Sequence, residues 1–144
     1  MERRNYIAHG SEVSEILGLS ELDSYIQFLE IYCQAIFEVL QEELIKLESI
    51  HGFQQIPNED VIDVFGSAIL ALRIQNRVVG VGDIIIIETP DGHFMKKPIL
   101  SIEIDKTSHE KVEILDTLDI GLRVDPSIKK NYKFYMSRAT DDKN

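Results

Sequence analysis

Apolar side chains recur at spacings of three and four residues between Ser20 and Ser49, which is the period of an α-helix. The pattern predicts one long helix with a single broad apolar face. We call this face the apolar stripe, and it consists of Leu22, Tyr25, Ile26, Leu29, Cys33, Ile36, Phe37, Leu40, Leu44 and Leu47. Such a helix spans roughly 40 Å. A short helix expected over residues 2–8 cannot cover it, so we expect the stripe to mediate a homodimer or larger oligomer.

After residue 60 the apolar period shortens to that of β-strands. The predicted strands are 61–65, 68–74, 84–88, 99–104, 112–115, 121–124 and 133–136. The tripeptide Pro90-Asp91-Gly92 is typical of a tight turn and predicts a hairpin. Short strands at this spacing predict a small closed antiparallel β-barrel.

The two patterns divide the chain and together predict an α+β fold. Residues 1–50 form a helical segment dominated by the long helix, and residues 60–138 form the barrel. Glycine and proline lie between them and predict a linker over residues 51–59. The polar residues 139–144 predict a flexible tail.

Charge limits how the chain can bind nucleic acid. The formal net charge is −10 at pH 7, and most of the excess acid lies before Asp60. A broad basic face that contacts many phosphates is therefore excluded. Any RNA contact must be local.

The remaining composition limits the chemistry. The one cysteine, Cys33, lies in the helical pattern and forms no disulfide framework. His93 and His109 have no cysteine or second histidine at ligand spacing, so we predict no metal site and no cofactor. No apolar run is long enough to cross a bilayer, and we predict a cytoplasmic protein without a membrane partner.

A candidate catalytic set occurs at the start of the chain, in Arg4, Asn5 and His9. Arginine is permanently charged and its planar fork fits phosphate, while histidine exchanges a proton near neutral pH. His9 is the candidate general base and acid, Arg4 the phosphate-neutralising residue and Asn5 the orienting residue. Asn5 and His9 share a helix face but Arg4 is out of line with His9, so a joint site needs a helix end or a second copy of the motif.

This motif resembles the signature of the HEPN superfamily, which is an arginine, a polar residue, a short spacer and a histidine. Residues 10–11 and 19–23 resemble the segment after the motif in bacterial members. The resemblance implies a bundle of four or five helices and a toxin or defence protein that cleaves RNA without metal, with an antitoxin as partner. Because only three residues precede the motif, we expect either the C-terminal part of a longer HEPN-like protein or a helical segment that serves for dimerisation alone.

The predicted barrel resembles the second domain of translational GTPases such as elongation factor Tu. Residues 63–65, 68–73 and 79–86 match its opening strand, crossing strand and glycine-aspartate turn, and residues 99–103 and 117–124 match its central and closing strands. No phosphate-binding loop of the glycine-lysine type occurs in the sequence, so the chain is not a GTPase. The resemblance implies contact with transfer RNA or ribosomal RNA.

Lysines interleaved with aromatic residues can contact phosphates and stack on bases. The predicted RNA-binding residues are Lys96, Lys97, Lys129, Lys130 and Tyr132. The alternative is that these lysines are ordinary solvated side chains that protect sheet edges.

Two functions remain open from the sequence. The first is a HEPN-type, metal-independent endoribonuclease whose barrel binds RNA or the translation machinery. The alternative is a non-catalytic, translation-factor-like module that binds RNA or protein and uses the long helix as a dimerisation arm.

Overall fold

The computed structural model describes residues 18–138. The chain divides into two compact units, with the boundary between Val39 and Leu40. Some predictions concern parts of the chain outside the described residues, namely the catalytic candidates Arg4, Asn5 and His9, the short helix over residues 2–8 and the tail over residues 139–144.

The long helix predicted from the apolar period is confirmed as α1, Leu19–His51. At its start the carbonyl of Gly18 accepts backbone hydrogen bonds of 3.0 and 3.1 Å from the first turn. At its end the guanidinium of Arg138 donates to the carbonyl of Ile50 at 3.0 Å. A cation at this position offsets the negative end of the helix dipole.

Eleven strands and a short 3₁₀-helix, Asn58–Asp60, follow α1 within the described residues. The strands are β1 (Phe53–Gln55), β2 (Val61–Phe65), β3 (Ile69–Ile74), β4 (Arg77–Gly80), β5 (Ile84–Glu88), β6 (Phe94–Pro98), β7 (Ser101–Ile104), β8 (Thr107–His109), β9 (Lys111–Ile114), β10 (Leu118–Arg123) and β11 (Lys133–Ser137).

The strands form three antiparallel sheets, with the orders β1-β11-β5-β6, β2-β3-β10-β7-β8 and β4-β9. No sheet within residues 18–138 closes on itself. The predicted closed β-barrel is therefore wrong, whereas the α+β class with one long helix stands. The physical reason is that apolar alternation marks individual strands, while closure depends on lateral pairing between segments that are far apart in the chain.

One of these distant pairings lies in the predicted linker, residues 51–59. Phe53 of β1 pairs with Ser137 of β11, and the backbone N–H of Ile56 donates to the carbonyl of Phe134 at 2.8 Å. The segment after α1 is thus tied to the end of the described chain by strand hydrogen bonds.

The apolar core is built from alternate residues of the strands. Leu70, Leu72 and Ile74 of β3 are buried, and so are Ile85 and Ile87 of β5. Burying a side chain of this size stabilises the fold by about 1.5 to 3 kcal/mol. The alternation of apolar residues along these strands therefore corresponds to a face that is buried in the structure.

The fully buried residue Ile86 lies between Ile85 and Ile87. It points to the opposite face of β5 and is not part of the apolar core. On that face its register partners are Lys96 of β6 and Tyr135 of β11. Both faces of β5 are consequently covered, which explains its unbroken run of isoleucines.

The hairpin predicted at Pro90-Asp91-Gly92 is confirmed, and it joins β5 to β6. The backbone N–H of Thr89 donates to the carbonyl of His93 at 2.9 Å, and Gly92 has a φ of 84°. A positive φ favours glycine, because a Cβ atom is sterically hindered there. The turn places His93 directly before β6.

Candidate functional site

The last turns of α1 contact the β5–β6 hairpin through acidic side chains. Oε1 of Glu42 lies 2.9 Å from Nδ1 of His93 and accepts a hydrogen bond of 3.2 Å from the backbone N–H of Phe94. The carboxylate of Glu48 forms an ion pair with Lys96. Because Lys96 is the register partner of Ile86, these contacts lie on the face of the sheet that buries Ile86.

The helix packs on this face through its polar side. Between Leu40 and Ile50 the less exposed residues are Glu42, Ile45, Glu48 and Ser49. Apart from Ile45, the apolar residues of the same turns are more than half exposed, with values of 63% for Leu40, 55% for Leu44, 53% for Leu47 and 57% for Ile50. In this part of α1 the apolar stripe therefore faces away from the sheet.

The earlier part of α1 is open as well. Every large apolar side chain from Leu22 to Val39 is at least 43% exposed, and the thiol of Cys33 is exposed. The rings of Phe28 and Tyr32 stack on each other with centroids 6.1 Å apart. The apolar stripe of α1 is thus exposed both before and after the boundary between Val39 and Leu40.

A second candidate surface is a groove of about 510 Å³ in the sheet-containing unit. We call it the amide groove because four carboxamide side chains line it. Its lining residues are Gln54, Gln55, Ile56, Pro57, Asp60, Arg73, Ile74, Gln75, Asn76, Arg77 and Thr117. A neighbouring depression of about 330 Å³ shares Asn76 and Arg77 with it.

Arg77 lies where these two depressions meet. Its guanidinium donates to the carbonyl of Ser137 at 2.7 Å and to the side-chain oxygen of Gln54 at 3.3 Å. It makes no ion pair with an acidic side chain of residues 18–138, and burial lowers the pKa of Arg77 from its ordinary value. The group remains cationic at neutral pH, so the groove contains a half-buried positive charge held by neutral partners.

The other arginine of the groove is neutralised. Nε and an Nη atom of Arg73 lie 2.8 and 3.0 Å from the two carboxylate oxygens of Asp119. This hydrogen-bonded pair raises the pKa of Arg73 and lowers the pKa of Asp119. A bidentate pair of this kind leaves little of the guanidinium for a ligand.

Three of the predicted RNA-binding lysines have acidic partners. The ion pairs are Lys96 with Glu48, Lys97 with Asp125 at 3.8 Å and Lys130 with Asp63 at 3.6 Å. Lys130 also donates to the carbonyl of Ile62 at 2.7 Å. These contacts favour the alternative role of the lysines as solvated, locally paired side chains.

The other two predicted RNA-binding residues differ from each other. Lys129 is exposed and makes no ion pair within the described residues, while Tyr132 is half-buried and packs against the core cluster. The structure does not bring the five residues together as one surface of free cations, and their role in RNA binding stays a prediction.

Glu88 is the centre of a separate polar network on the sheet of β5. Its Oε1 accepts from Nζ of Lys133 at 2.8 Å and its Oε2 accepts from the hydroxyl of Tyr135 at 2.5 Å. Burial opposes ionisation of Glu88, but the two hydrogen bonds outweigh it and lower the pKa. Burial and the bond to Glu88 raise the pKa of Tyr135. Both carboxylate oxygens are occupied, so Glu88 holds strands together.

Within residues 18–138 no cluster of three or more histidine, cysteine, aspartate or glutamate side chains could hold a metal ion. Among the helices that the structure describes, none is both long and apolar enough to cross a membrane.

Comparison with known protein families gives no match to this chain, and comparison with curated proteins gives none either. The resemblances to the HEPN signature and to the second domain of translational GTPases therefore stay predictions from the residues that carry them.

The amide groove was not predicted from the sequence. Its polar residues come from β1, the 3₁₀-helix, β3, the β3–β4 turn, the start of β4 and Thr117, which lie far apart in the sequence. The local sequence signal is weak. It consists of two carboxamide pairs, Gln54-Gln55 and Gln75-Asn76, the second of which directly precedes Arg77. Carboxamides are common in turns and loops, so this signal alone does not indicate a site.

Proposed function

We propose that the chain is a non-catalytic RNA-binding module, in which the amide groove contacts RNA and α1 joins two chains through the apolar stripe. The observation that carries the proposal is the position of Arg77. It is a cation without an acidic partner among the described residues, and it lies beside Gln54, Gln75 and Asn76.

The chemistry of the groove fits unpaired nucleotides. Carboxamides donate and accept hydrogen bonds, as base edges do, and a guanidinium fits a phosphate. RNA recognition is directed mainly at unpaired bases, whose edges are free to be read.

A local contact also fits the charge of the chain. With a formal net charge of −10, long-range attraction to RNA is absent, and binding must depend on the few groups that touch it. The groove offers one guanidinium, that of Arg77, which has no acidic partner among residues 18–138. The proposed affinity is therefore modest and weakly dependent on salt.

The test measures binding of short single-stranded RNA and of transfer RNA by fluorescence anisotropy at several salt concentrations. The variant Gln75→Ala/Asn76→Gly removes two carboxamides from the groove. Asn76 has a φ of 49°, which glycine adopts without strain, so the turn is retained. Lys111→Ala is the control, because it removes an exposed cation outside the groove.

We expect the double variant to weaken binding at least tenfold and the control to change it less than twofold. Contact with one or two phosphates gives a slope of log K against log salt of about −1, whereas four lysine contacts would give about −3. A steep salt dependence, together with an unchanged RNA affinity of the Gln75→Ala/Asn76→Gly variant, would indicate that the lysines bind RNA and the amide groove does not. Absence of binding to either RNA would reject the proposal.

The motif Arg4, Asn5 and His9 favours a second function, that of a HEPN-type toxin or defence protein with endoribonuclease activity. His9 would remove the proton of a ribose 2′-hydroxyl, whose oxygen attacks the adjacent phosphate. The bond between phosphorus and the 5′-oxygen would then break, protonated His9 would return its proton to the departing 5′-oxygen, and the product carries a 2′,3′-cyclic phosphate. Arg4 would stabilise the phosphate charge and Asn5 would orient it.

A further inference from the structure

The exposed apolar surface of α1 is large enough for a stable interface. Eleven large apolar side chains on this side of α1, those of the apolar stripe other than Cys33 together with Tyr32 and Ile50, are each 43–63% exposed. Together they present on the order of 1,000 Å² of side-chain surface. This exceeds the roughly 800 Å² that each partner contributes to an interface of standard size.

The distribution of charge on α1 allows a second copy of the chain to cover this surface. Most of its acidic residues, including Glu30, Glu38 and Glu48, lie on the side of the helix opposite the apolar stripe or at its margin. They stay outside the contact when two stripes meet, and the mutual repulsion of those in solvent is screened. Glu43 is the exception, because it lies seven residues after Ile36 and therefore falls on the same face as the stripe.

We infer that α1 pairs with α1 of a second copy in antiparallel orientation, with Ile36 at the twofold axis. The inference rests on the self-association in the proposed function and specifies its geometry. Full overlap of the apolar surface from Leu22 to Ile50 places its midpoint at Ile36. Residues equally far from Ile36 on either side are then opposite each other.

The position of Glu43 distinguishes the two orientations. In a parallel pair in register, Glu43 faces the same residue of the partner copy within a largely apolar interface, and two like charges in such a place are costly. In the antiparallel pair Glu43 faces Leu29. The two Glu43 carboxylates are then separated by about 20 Å along the helix axis.

The sizes of the side chains also favour the antiparallel pair. The four aromatic residues of α1 lie between Tyr25 and Phe37, and the apolar residues of the stripe from Leu40 to Ile50 are aliphatic. Antiparallel overlap brings Tyr25, Phe28 and Tyr32 opposite three leucines, Leu47, Leu44 and Leu40. Large side chains facing smaller ones interdigitate, whereas parallel overlap would crowd aromatic rings against each other.

Cysteine cross-linking of the full chain tests this geometry. Cys33 is the only cysteine in the sequence and is exposed on the stripe. In the antiparallel pair the two Cys33 positions are about 9 Å apart along the axis, beyond the reach of a disulfide. The variant Cys33→Ser/Ile36→Cys moves the thiol to the twofold axis, where two copies are adjacent.

We expect a dimer in sedimentation, with rapid oxidative cross-linking of the Cys33→Ser/Ile36→Cys variant and little cross-linking of the wild type. Equally rapid cross-linking of a dimeric wild type would indicate a parallel pair, and would overturn the orientation while leaving self-association intact. A dimer in which the variant does not cross-link would overturn the register. A monomer throughout the micromolar range would overturn both this inference and the part of the proposed function in which α1 joins two chains.

Discussion

Oε1 of Glu42, near the end of α1, lies 2.9 Å from Nδ1 of His93, directly after the turn that joins β5 and β6. The same oxygen accepts a hydrogen bond of 3.2 Å from the backbone N–H of Phe94. The ion pair of Glu48 with Lys96 follows less than two helical turns later. The end of α1 is thus held to the sheet by acidic residues, and its leucines stay available for another partner.

This contact predicts an acid-sensitive attachment of the helix end. Hydrogen bonds from His93 and from the backbone of Phe94 lower the pKa of Glu42 from the ordinary value of 4.5. Because its pKa is lower in the folded than in the unfolded chain, the stabilisation by Glu42 is complete above about pH 4.5 and is lost as the pH falls through the lowered pKa. We expect the Phe94 amide resonance to titrate below pH 4.5.

The matched variants for this measurement are Glu42→Gln and Glu110→Gln. Glu42→Gln should remove the titration of the Phe94 amide, because the side chain no longer ionises. Glu110→Gln removes the same charge from an exposed position and should leave the titration in place. A titration that survives in Glu42→Gln would show that another group produces it.

Two leucines with opposite burial test the core. Leu122 of β10 is fully buried, whereas Leu115 is 71% exposed. We expect Leu122→Ala to lower the free energy of unfolding by about 2 to 5 kcal/mol, because it removes buried methyl groups and leaves a cavity. Leu115→Ala should change it by less than about 0.5 kcal/mol. Chemical denaturation gives both values, and similar losses for the two variants would contradict the observed core.

The elements that could be predicted from the sequence are those with strong local periodicity. The apolar stripe marks α1, and the alternation in Leu70, Leu72 and Ile74 marks β3. Strands β1, β4, β6 and β8 were not predicted, because they are short or contain charged residues, such as Lys96 and Lys97 in β6. Their pairings decide that the sheets are open, which is why the prediction of a closed barrel failed.

The two candidate surfaces, the apolar stripe and the amide groove, also differ in whether local sequence predicts them. The apolar stripe follows from spacing along one helix and could be predicted without a structure. The side of α1 that faces the sheet could not be predicted, because Glu42 and Glu48 are charged residues of the kind expected in solvent and yet contact the sheet. The amide groove depends on the pairing of β1 with β11, and nothing local indicates that Gln54 approaches Arg77.

The apolar stripe predicts a dimer that one substitution weakens. Leu44 is 55% exposed in the chain and would be buried in the pair. Leu44→Glu places a charge there and also removes an apolar contact worth about 1.5 to 3 kcal/mol at full burial. We therefore expect the dissociation constant from sedimentation equilibrium to rise at least tenfold.

The control for Leu44→Glu is Gln41→Glu, which adds the same charge to an exposed position outside the stripe. It should sediment like the wild type. The melting temperatures of all three proteins should be compared at a concentration where each is monomeric, to show that the fold is retained. If both variants weaken association equally, net charge and not the stripe governs it.

The ribonuclease proposal predicts a metal-independent activity that depends on His9. Purified chain incubated with total transfer RNA and a chelator should produce fragments that end in a 2′,3′-cyclic phosphate. His9→Ala should abolish cleavage, since the proton-transfer group is lost. Arg4→Ala should reduce the rate by about 10² to 10³, the usual cost of removing one preorganised group that stabilises transition-state charge.

His109→Ala is the matched control, because it removes a histidine without a neighbouring arginine and carboxamide in sequence, and it should cleave like the wild type. Cleavage by His9→Ala at the wild-type rate would reject the motif as the catalytic site. RNA binding without cleavage by the wild type would instead favour the non-catalytic module, whose groove and helix do not require the N-terminal motif.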